Sequence, residues 1–362
     1  MNIALPPRKP EKGTAPIPAK PAPLKLLFTL LLATAAGALA HHLHLPLPWM
    51  IGPLFAVAAG CMAGLPLQAL PGGRQIGQWA IGTALGLYFS PSVVAQLGTN
   101  LPLVVGAALA SLLLGMLCAL VMRRFGRVNS ATAFFASLPG GASEMTNLAE
   151  RWGGEVDRIA TAHAMRVMLV VSIVPFALTF AGAHGTDPYI PLVSEVNWAR
   201  FPLLVLSGLA GTATFALLKI PNPWILGPLL GVGLATALNL SLSALPGWVV
   251  SGGQILIGCS LGVRFSPAFF KAAPHFMAVA AASALLGLAL AFLLALTLYV
   301  LSNQQLATLA LATAPGGVAE MCITAKVLQL GVPLITACHV LRVMVLTVGA
   351  PWAYSLFLRR DG

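Results

Sequence analysis

The sequence predicts an all-α polytopic membrane protein. It reads as two inverted repeats of about five transmembrane helices, each with a re-entrant or broken Pro-Gly-Gly segment. Three observations carry this expectation. Of the 362 residues, 58% are hydrophobic and only 8% charged, against about 25% charged in soluble proteins. Apolar runs such as Leu101–Val121, Phe276–Leu301 and Val332–Leu358 match the roughly 20 residues that a helix needs to cross a bilayer. One polar motif also occurs twice: Pro-Gly-Gly-Ala-Ser-Glu-Met at 139–145 and Pro-Gly-Gly-Val-Ala-Glu-Met at 315–321.

Taken in order, residues 1–23 hold seven prolines and several basic residues but no apolar run. They read as a flexible cytoplasmic tail, neither signal peptide nor helix. Leu24–Ala40 is a first span. Pro48-Trp49-Met50-Ile51-Gly52-Pro53-Leu54 opens a second, with proline in the first helical turn and Trp49 as an interfacial anchor. A short glycine-rich third span runs from Ile76 to Phe89 and stops at Ser90-Pro91. Leu101–Met122 is a fourth, closed by the Arg123–Arg127 cluster. The Pro-Gly-Gly unit follows within Ser130–Arg151, then a fifth span over Val156–Gly182.

The second half repeats this grammar. Pro223-Trp224-Ile225-Leu226-Gly227-Pro228-Leu229 matches the Pro48 motif at an offset of 175. From Gly77-Gln78 and Gly253-Gln254 onward the offset is 176, through to Pro175 and Pro351. Shared apolar character would not align Pro, Gly, Glu, His and Arg together, so duplication is the reading. The expected organisation is tail 1–23, membrane repeat 24–182, loop 183–200 and membrane repeat 201–358.

Loop charge decides the repeat orientation. If each Pro-Gly-Gly unit enters and leaves on one side, each repeat has five spans and the second copy is inverted. Arg74, Arg123–Arg127, Arg151, Arg158, Lys219, Arg264, Lys271, Arg359 and Arg360 then share the cytoplasmic side with both termini. Arg200 and Lys326 fall outside. A fully crossing unit would move Arg158, Lys219, Arg264 and Lys271 outward, against the positive-inside rule. The net charge of +11 is thus spread over loops beside spans and forms no basic surface for direct nucleic-acid contact.

Glu144 and Glu320 are the two acidic residues beside a glycine-broken segment at membrane depth; the other seven lie in the tail or loops. An ionisable group there costs several kcal/mol unless paired or hydrated, which makes it a functional candidate. Broken backbone at depth lines a cavity or is buried in protein, so Gly140, Gly141, Gly316 and Gly317 are expected cavity walls. His163 and Arg166, like His339 and Arg342, share one helical face three residues apart. Arg166 lies roughly 13 Å into its span at 1.5 Å per residue. Besides simple snorkelling of the charges to the interface, two readings stand for these residues. In one, Glu144 neutralises Arg166 and Glu320 neutralises Arg342 as structural pairs, with the histidines packing helices. In the other, Glu144 and Glu320 take the coupling ion while Arg166, Arg342, His163 and His339 bind substrate.

No cofactor or metal site is expected. The five cysteines lie in apolar segments without a CxxC pair and read as small packing residues. His41-His42-Leu43-His44 has no counterpart in the second half, where Leu217-Leu218-Lys219-Ile220 stands. No P-loop, nucleophile elbow, zinc motif or dinucleotide fingerprint is present.

The duplicated Pro-Gly-Gly-x-x-Glu-Met with its His-x-x-Arg helix, and the duplicated Pro-Trp-x-x-Gly-Pro, resemble the AbrB family of bacterial membrane proteins over residues 25–358. That family also carries an ammonia monooxygenase (AmoA-like) label. The resemblance implies a multi-pass protein of the bacterial inner membrane and a role in regulation of gene expression or in oxidation. In organisation the chain is also similar to cation–proton antiporters and anion transporters with inverted five-span repeats. The expected function is secondary transport of a small anionic or zwitterionic solute coupled to H⁺ or Na⁺. A membrane regulator acting through a partner and a membrane oxygenase are the rivals. The partners are therefore a small solute, a coupling ion and the lipid bilayer, with a homo-oligomer left open.

Overall fold

A computed structural model of the chain describes residues 22–185, 195–265, 267 and 273–358. Residues 1–21 of the expected tail, 186–194 of the expected loop, and Arg359 and Arg360 lie outside the described residues. Every regular element among them is helical. The first half contains α1 (Pro23–His42), α2 (Pro48–Met62), α3 (Gly73–Gly86), α4 (Pro91–Thr99), α5 (Leu101–Phe125), α6 (Ser130–Ser137), α7 (Ala142–Glu150) and α8 (Val156–Phe180). The second contains α9 (Phe201–Leu217), α10 (Pro223–Ala237), α11 (Gly247–Gly262), α12 (Pro274–Leu301), α13 (Leu306–Thr313), α14 (Val318–Val327) and α15 (Val332–Leu358). Five of these, α1, α5, α8, α12 and α15, are long and apolar enough to cross a bilayer.

Local chemistry sets the helix limits. Proline occupies the first turn of α1, α2, α4, α5, α9, α10 and α12, where its missing N–H costs nothing and its fixed φ suits the helix. Ser90 caps α4 by accepting from Val93 N at 3.3 Å, and Asn129 caps α6 by accepting from Thr132 N at 2.8 Å. The Ser90-Pro91 stop ends the third expected span with a bend of 88° into α4. Both Pro-Trp motifs begin helices as expected. The residue before each is unexpected: Leu47 and Asn222 adopt left-handed backbone, at φ 51° and 52°.

The helices sort into two packed groups. α1, α2, α3, α9, α10 and α11 contact one another, and α5, α8, α12 and α15 form a second bundle around α6, α7, α13 and α14. In the first group helices approach through glycine. A Cβ at Gly227 would lie 2.5 Å from Thr212 Cα, and one at Gly231 would lie 3.0 Å from Gly211 Cα. Gly227 and Gly231 are four apart, the small-residue spacing that lets helices pack closely in lipid.

Both interrupted segments have their ends together. Asn129 Nδ2, before α6, donates to Gly153 O, beyond α7, at 2.8 Å. Glu155 N donates to Thr132 Oγ1 at 2.8 Å. The same contact recurs 176 residues on, where Gly331 N donates to Thr308 Oγ1 at 3.4 Å. The 25-residue α8 begins beside the ends of the first segment. Past its far end, Gly185 N donates to Leu328 O at 3.0 Å, beside the end of the second.

Replacing Gly227 with leucine drives a side chain into the α9 backbone. Overpacking of this kind costs about 1–3 kcal/mol, so Gly227→Leu is expected to lower the melting temperature of the purified protein in detergent. Gly98→Leu, where a Cβ meets nothing within 4 Å, serves as the matched control and is expected to leave the melting temperature unchanged.

Candidate functional site

Each Pro-Gly-Gly stops a short helix and lets another begin. Leu138 is extended at φ −64°, ψ 132°, the conformation that a following proline enforces. The last carbonyls of α6 have no intrahelical donors, and they are buried. A guanidinium supplies them. Arg166 Nη1 donates to Leu138 O at 2.8 Å, with longer contacts to Ser137 O and Gly140 O at 3.5 Å. In the second copy Arg342 Nη1 donates to Ala314 O at 2.5 Å and its Nη2 to Gly316 O at 2.6 Å.

The histidines join the same network. His163 Nε2 donates to Phe135 O at 3.0 Å, and His339 Nε2 donates to Leu311 O at 2.9 Å. His163 Nδ1 in turn accepts from Arg166 Nη2 at 2.8 Å. A ring that donates from one nitrogen and accepts at the other is a neutral imidazole, its tautomer fixed by these partners. Each His-x-x-Arg face is thus a clamp on the carbonyl end of a broken helix.

The carboxylates lie on the other side of each break. Glu144 and Glu320 are third in α7 and α14, behind the N-cap glycines Gly141 and Gly317. In that position a glutamate folds back over the cap, where the positive end of the helix dipole stabilises its charge. The glycines are needed for that fold. A Cβ on Gly141 would strike Glu144 Oε2, and one on Gly317 would strike Glu320 Oε2. The structural-pair reading, with Glu144 neutralising Arg166 and Glu320 neutralising Arg342, does not describe this geometry: neither arginine is ion-paired with its glutamate, the Nη groups donate to carbonyls and to His163, and each Nε is buried without a partner.

Glu144 Oε1 instead accepts from Asn222 N, the cap of α10, at 3.2 Å, which ties one helix group to the other. Its Oε2 is buried without a hydrogen-bond partner. Glu320 is buried.

Both breaks open on one cavity of about 460 Å³. Its wall brings together Gly140, Gly141, Glu144, His163, Arg166, Gly316, Gly317, Glu320 and Arg342. His339 stands behind Arg342 and does not line it. Four polar residues that loop assignment missed also face it: Arg74, Gln75, Gln78 and Arg264. Sequence reading placed Arg74 and Arg264 in cytoplasmic loops. Gln78 did carry a signal, because it aligns with Gln254 in the duplicated Gly-Gln pair. Outside the cavity, His41 stacks on Trp49 with ring centroids 5.9 Å apart, and the five cysteines are free and buried.

With this geometry in hand, the chain can be placed among known proteins. Residues 49–358 match the family described as "Transition state regulatory protein AbrB". The chain belongs to the AbrB family. It is similar to "Uncharacterized protein YhjN" of Bacillus subtilis (strain 168), 28% identical across 94% of each chain. It is also similar to "Putative regulator AbrB" of Escherichia coli (strain K12), 25% identical across 90% of this chain and 94% of that one. Similarity to both relatives thus runs over nearly the whole chain.

Removing a clamp leaves buried carbonyls unpaired. A hydrogen bond from a charged donor contributes about 1.5–3 kcal/mol, so Arg342→Leu is expected to cost about 3 kcal/mol or more. Chemical or thermal denaturation in detergent measures it. A loss no larger than that of a surface arginine such as Arg124→Leu would contradict the clamp.

Proposed function

We propose that the protein is a secondary transporter of a small anionic or zwitterionic solute, coupled to H⁺ or Na⁺. Its architecture is two inverted repeats of five spans, with α6–α7 and α13–α14 as re-entrant segments entering from opposite sides of the bacterial inner membrane. The observation that carries this reading is one cavity, shared by both helix breaks, the half-buried Glu144 and the buried Glu320 within an apolar frame. A protein held together by such breaks alone would fill the space between them. Paired half-helix ends meeting at a common site are the arrangement in which transporters hold anionic groups and coupling ions.

In this reading Glu144 and Glu320 take up the coupling ion. Arg166 and Arg342, with His163 and His339 behind them, hold the breaks open and supply positive field to the solute. Gly140, Gly141, Gly316 and Gly317 let backbone approach it. The inverted arrangement is supported by α8, whose two ends lie beside the ends of the two different segments. The expected cytoplasmic side is supported by the clustering there of Arg123, Arg124, Arg127, Arg151 and Arg158. Their neighbours include the end of α15, since Arg123 stacks over Phe357 at 5.4 Å.

The printed names of the family and of the Escherichia coli relative favour a second reading, a membrane regulator acting through a partner. The oxygenase reading predicts stoichiometric bound metal, which elemental analysis of purified protein decides. Uptake separates transport from both.

In proteoliposomes under an imposed pH or Na⁺ gradient, the wild type is expected to accumulate a small organic anion or amino acid. Glu144→Gln and Glu320→Gln are expected to lose gradient-driven uptake while staying folded. Equal uptake by all three proteins would leave the carboxylates a capping role only, and no uptake by a folded wild type would shift weight to the regulator. Topology has its own test. Gly153→Cys is expected to react with a membrane-impermeant maleimide from the cytoplasmic side and Asn303→Cys from the other; labelling of both from one side would refute the inversion.

A further inference from the structure

The charges in the cavity do not balance, and the surplus sits on one wall. Four arginines and two glutamates face it. Arg166 and Arg342 lie at helix carbonyl ends, and Glu144 and Glu320 lie in first turns. A helix terminus carries roughly half a unit charge, negative at the carbonyl end and positive at the amide end. The backbone therefore compensates all four. Arg74, second residue of α3, stands at an amide end that does not compensate it, while Arg264, just beyond the carbonyl end of α11, is compensated there in part. Among the described residues the salt bridge present is Arg158–Glu155, and no side-chain hydrogen bond involves either Arg74 or Arg264. The packing of α3 against α11 brings both to the wall of one cavity, which Glu320 also lines.

Arg74 is half-buried and Arg264 exposed, so both guanidiniums are free to take an anion that enters the cavity. The bland alternative is that both arginines merely set topology at the cytoplasmic boundary. That role asks only for exposure to the aqueous boundary; it does not ask that both face one cavity beside the amides of Gln75 and Gln78. The cavity, about 460 Å³, is of the size that holds a small organic molecule.

We propose that Arg74 and Arg264 are the recognition pair for the solute, and that the solute is a small dicarboxylate. Two guanidiniums without a hydrogen-bond or ion-pair partner among the described residues match two carboxylates, and each planar fork can take a carboxylate by two parallel hydrogen bonds. The Gln75 and Gln78 amides donate to the remaining oxygens or to a hydroxyl between them. This rests on the transport reading above and gives its coupling a sign. Protonating Glu144 or Glu320 removes negative charge from the wall facing the solute, so it tightens dianion binding. By linkage the dianion tightens proton binding equally. Proton and dianion then cross together, in symport.

The test uses the full-length protein in proteoliposomes. The probes are a radiolabelled four-carbon dicarboxylate, the corresponding monocarboxylate, a neutral amino acid and inorganic phosphate. The wild type is expected to prefer the dicarboxylate and to accumulate it faster when protons flow in the same direction. Arg74→Gln and Arg264→Gln are each expected to raise KM roughly tenfold, the worth of one charge-assisted hydrogen bond, with a smaller change in kcat. Arg74→Lys keeps charge without the fork and is expected to recover part of the affinity. Only variants that elute and melt like the wild type are compared, and either arginine alone suffices for the test.

Uptake of the dicarboxylate with an unchanged KM in both variants would overturn the recognition pair while leaving transport standing. Preference for the monocarboxylate, amino acid or phosphate would overturn the substrate class. No uptake of any probe by a folded wild type would overturn the transport reading and this assignment with it.

Discussion

A guanidinium in an apolar interior is tolerated only where fixed acceptors replace its water, and this constraint organises the molecule. Arg166 and Arg342 find those acceptors in the carbonyls that a Pro-Gly-Gly break leaves exposed. The dependence is mutual, because a broken helix at depth leaves orphan carbonyls that cost about 1–3 kcal/mol each when unpaired. Neither feature is stable without the other. Once the carbonyl end is clamped, the amide end of the following helix is free to face outward, and a glutamate folds over its cap. One arginine therefore fixes the position of a cavity wall, a carboxylate and a helix dipole together.

Much of this was legible in the sequence because the chemistry is scarce. In a chain with 8% charged residues, a glutamate and an arginine beside the same glycine break stand out, and duplication at a constant offset shows that the set acts as a unit. Helix starts were legible for a similar reason, since proline in the first turn is a strong local signal and both Pro-Trp motifs begin helices. The partner of each arginine was not legible. Opposite charges at helical reach invite an ion pair, and sequence carries no record of backbone carbonyls, which every residue has. Only the geometry of the break makes Leu138 O and Ala314 O special.

Arg74 and Arg264 were not recognised as cavity residues for a different reason. Loop charge near a span is ordinarily a topology signal, and the two residues are 190 positions apart with no shared motif. What unites them is the packing of α3 and α11 against each other, a tertiary fact. The left-handed Leu47 was equally invisible, because glycine or asparagine is the expected residue for such backbone and leucine is not, whereas Asn222 at the matching place is such a residue. That Leu47 adopts it shows that the chain direction before each Pro-Trp helix is imposed from outside the local sequence.

The two copies share this backbone turn yet use it differently, and the difference bears on mechanism. Asn222 presents its N–H to Glu144 Oε1 across the two helix groups, and the neighbouring Trp224 lies on the cavity wall. Leu47, at the matching place in the other half, is buried in the core that joins the groups. Glu320, which by the repeat would face Leu47, is buried without that contact. Sequence contributes to the asymmetry, but an N–H is common to both residues, so Leu47 N has the same donor to offer as Asn222 N. The structure thus has one half with its glutamate bonded across the groups and one half whose glutamate is buried without that bond, both at the same cavity. In the transporter proposed above, exchanging those two arrangements would move the cavity opening to the opposite side while each arginine kept its carbonyls. The clamps would then be the fixed part of the molecule and the glutamate contact the exchangeable part, so the proposed ion-coupling residue would sit at the element that has to move.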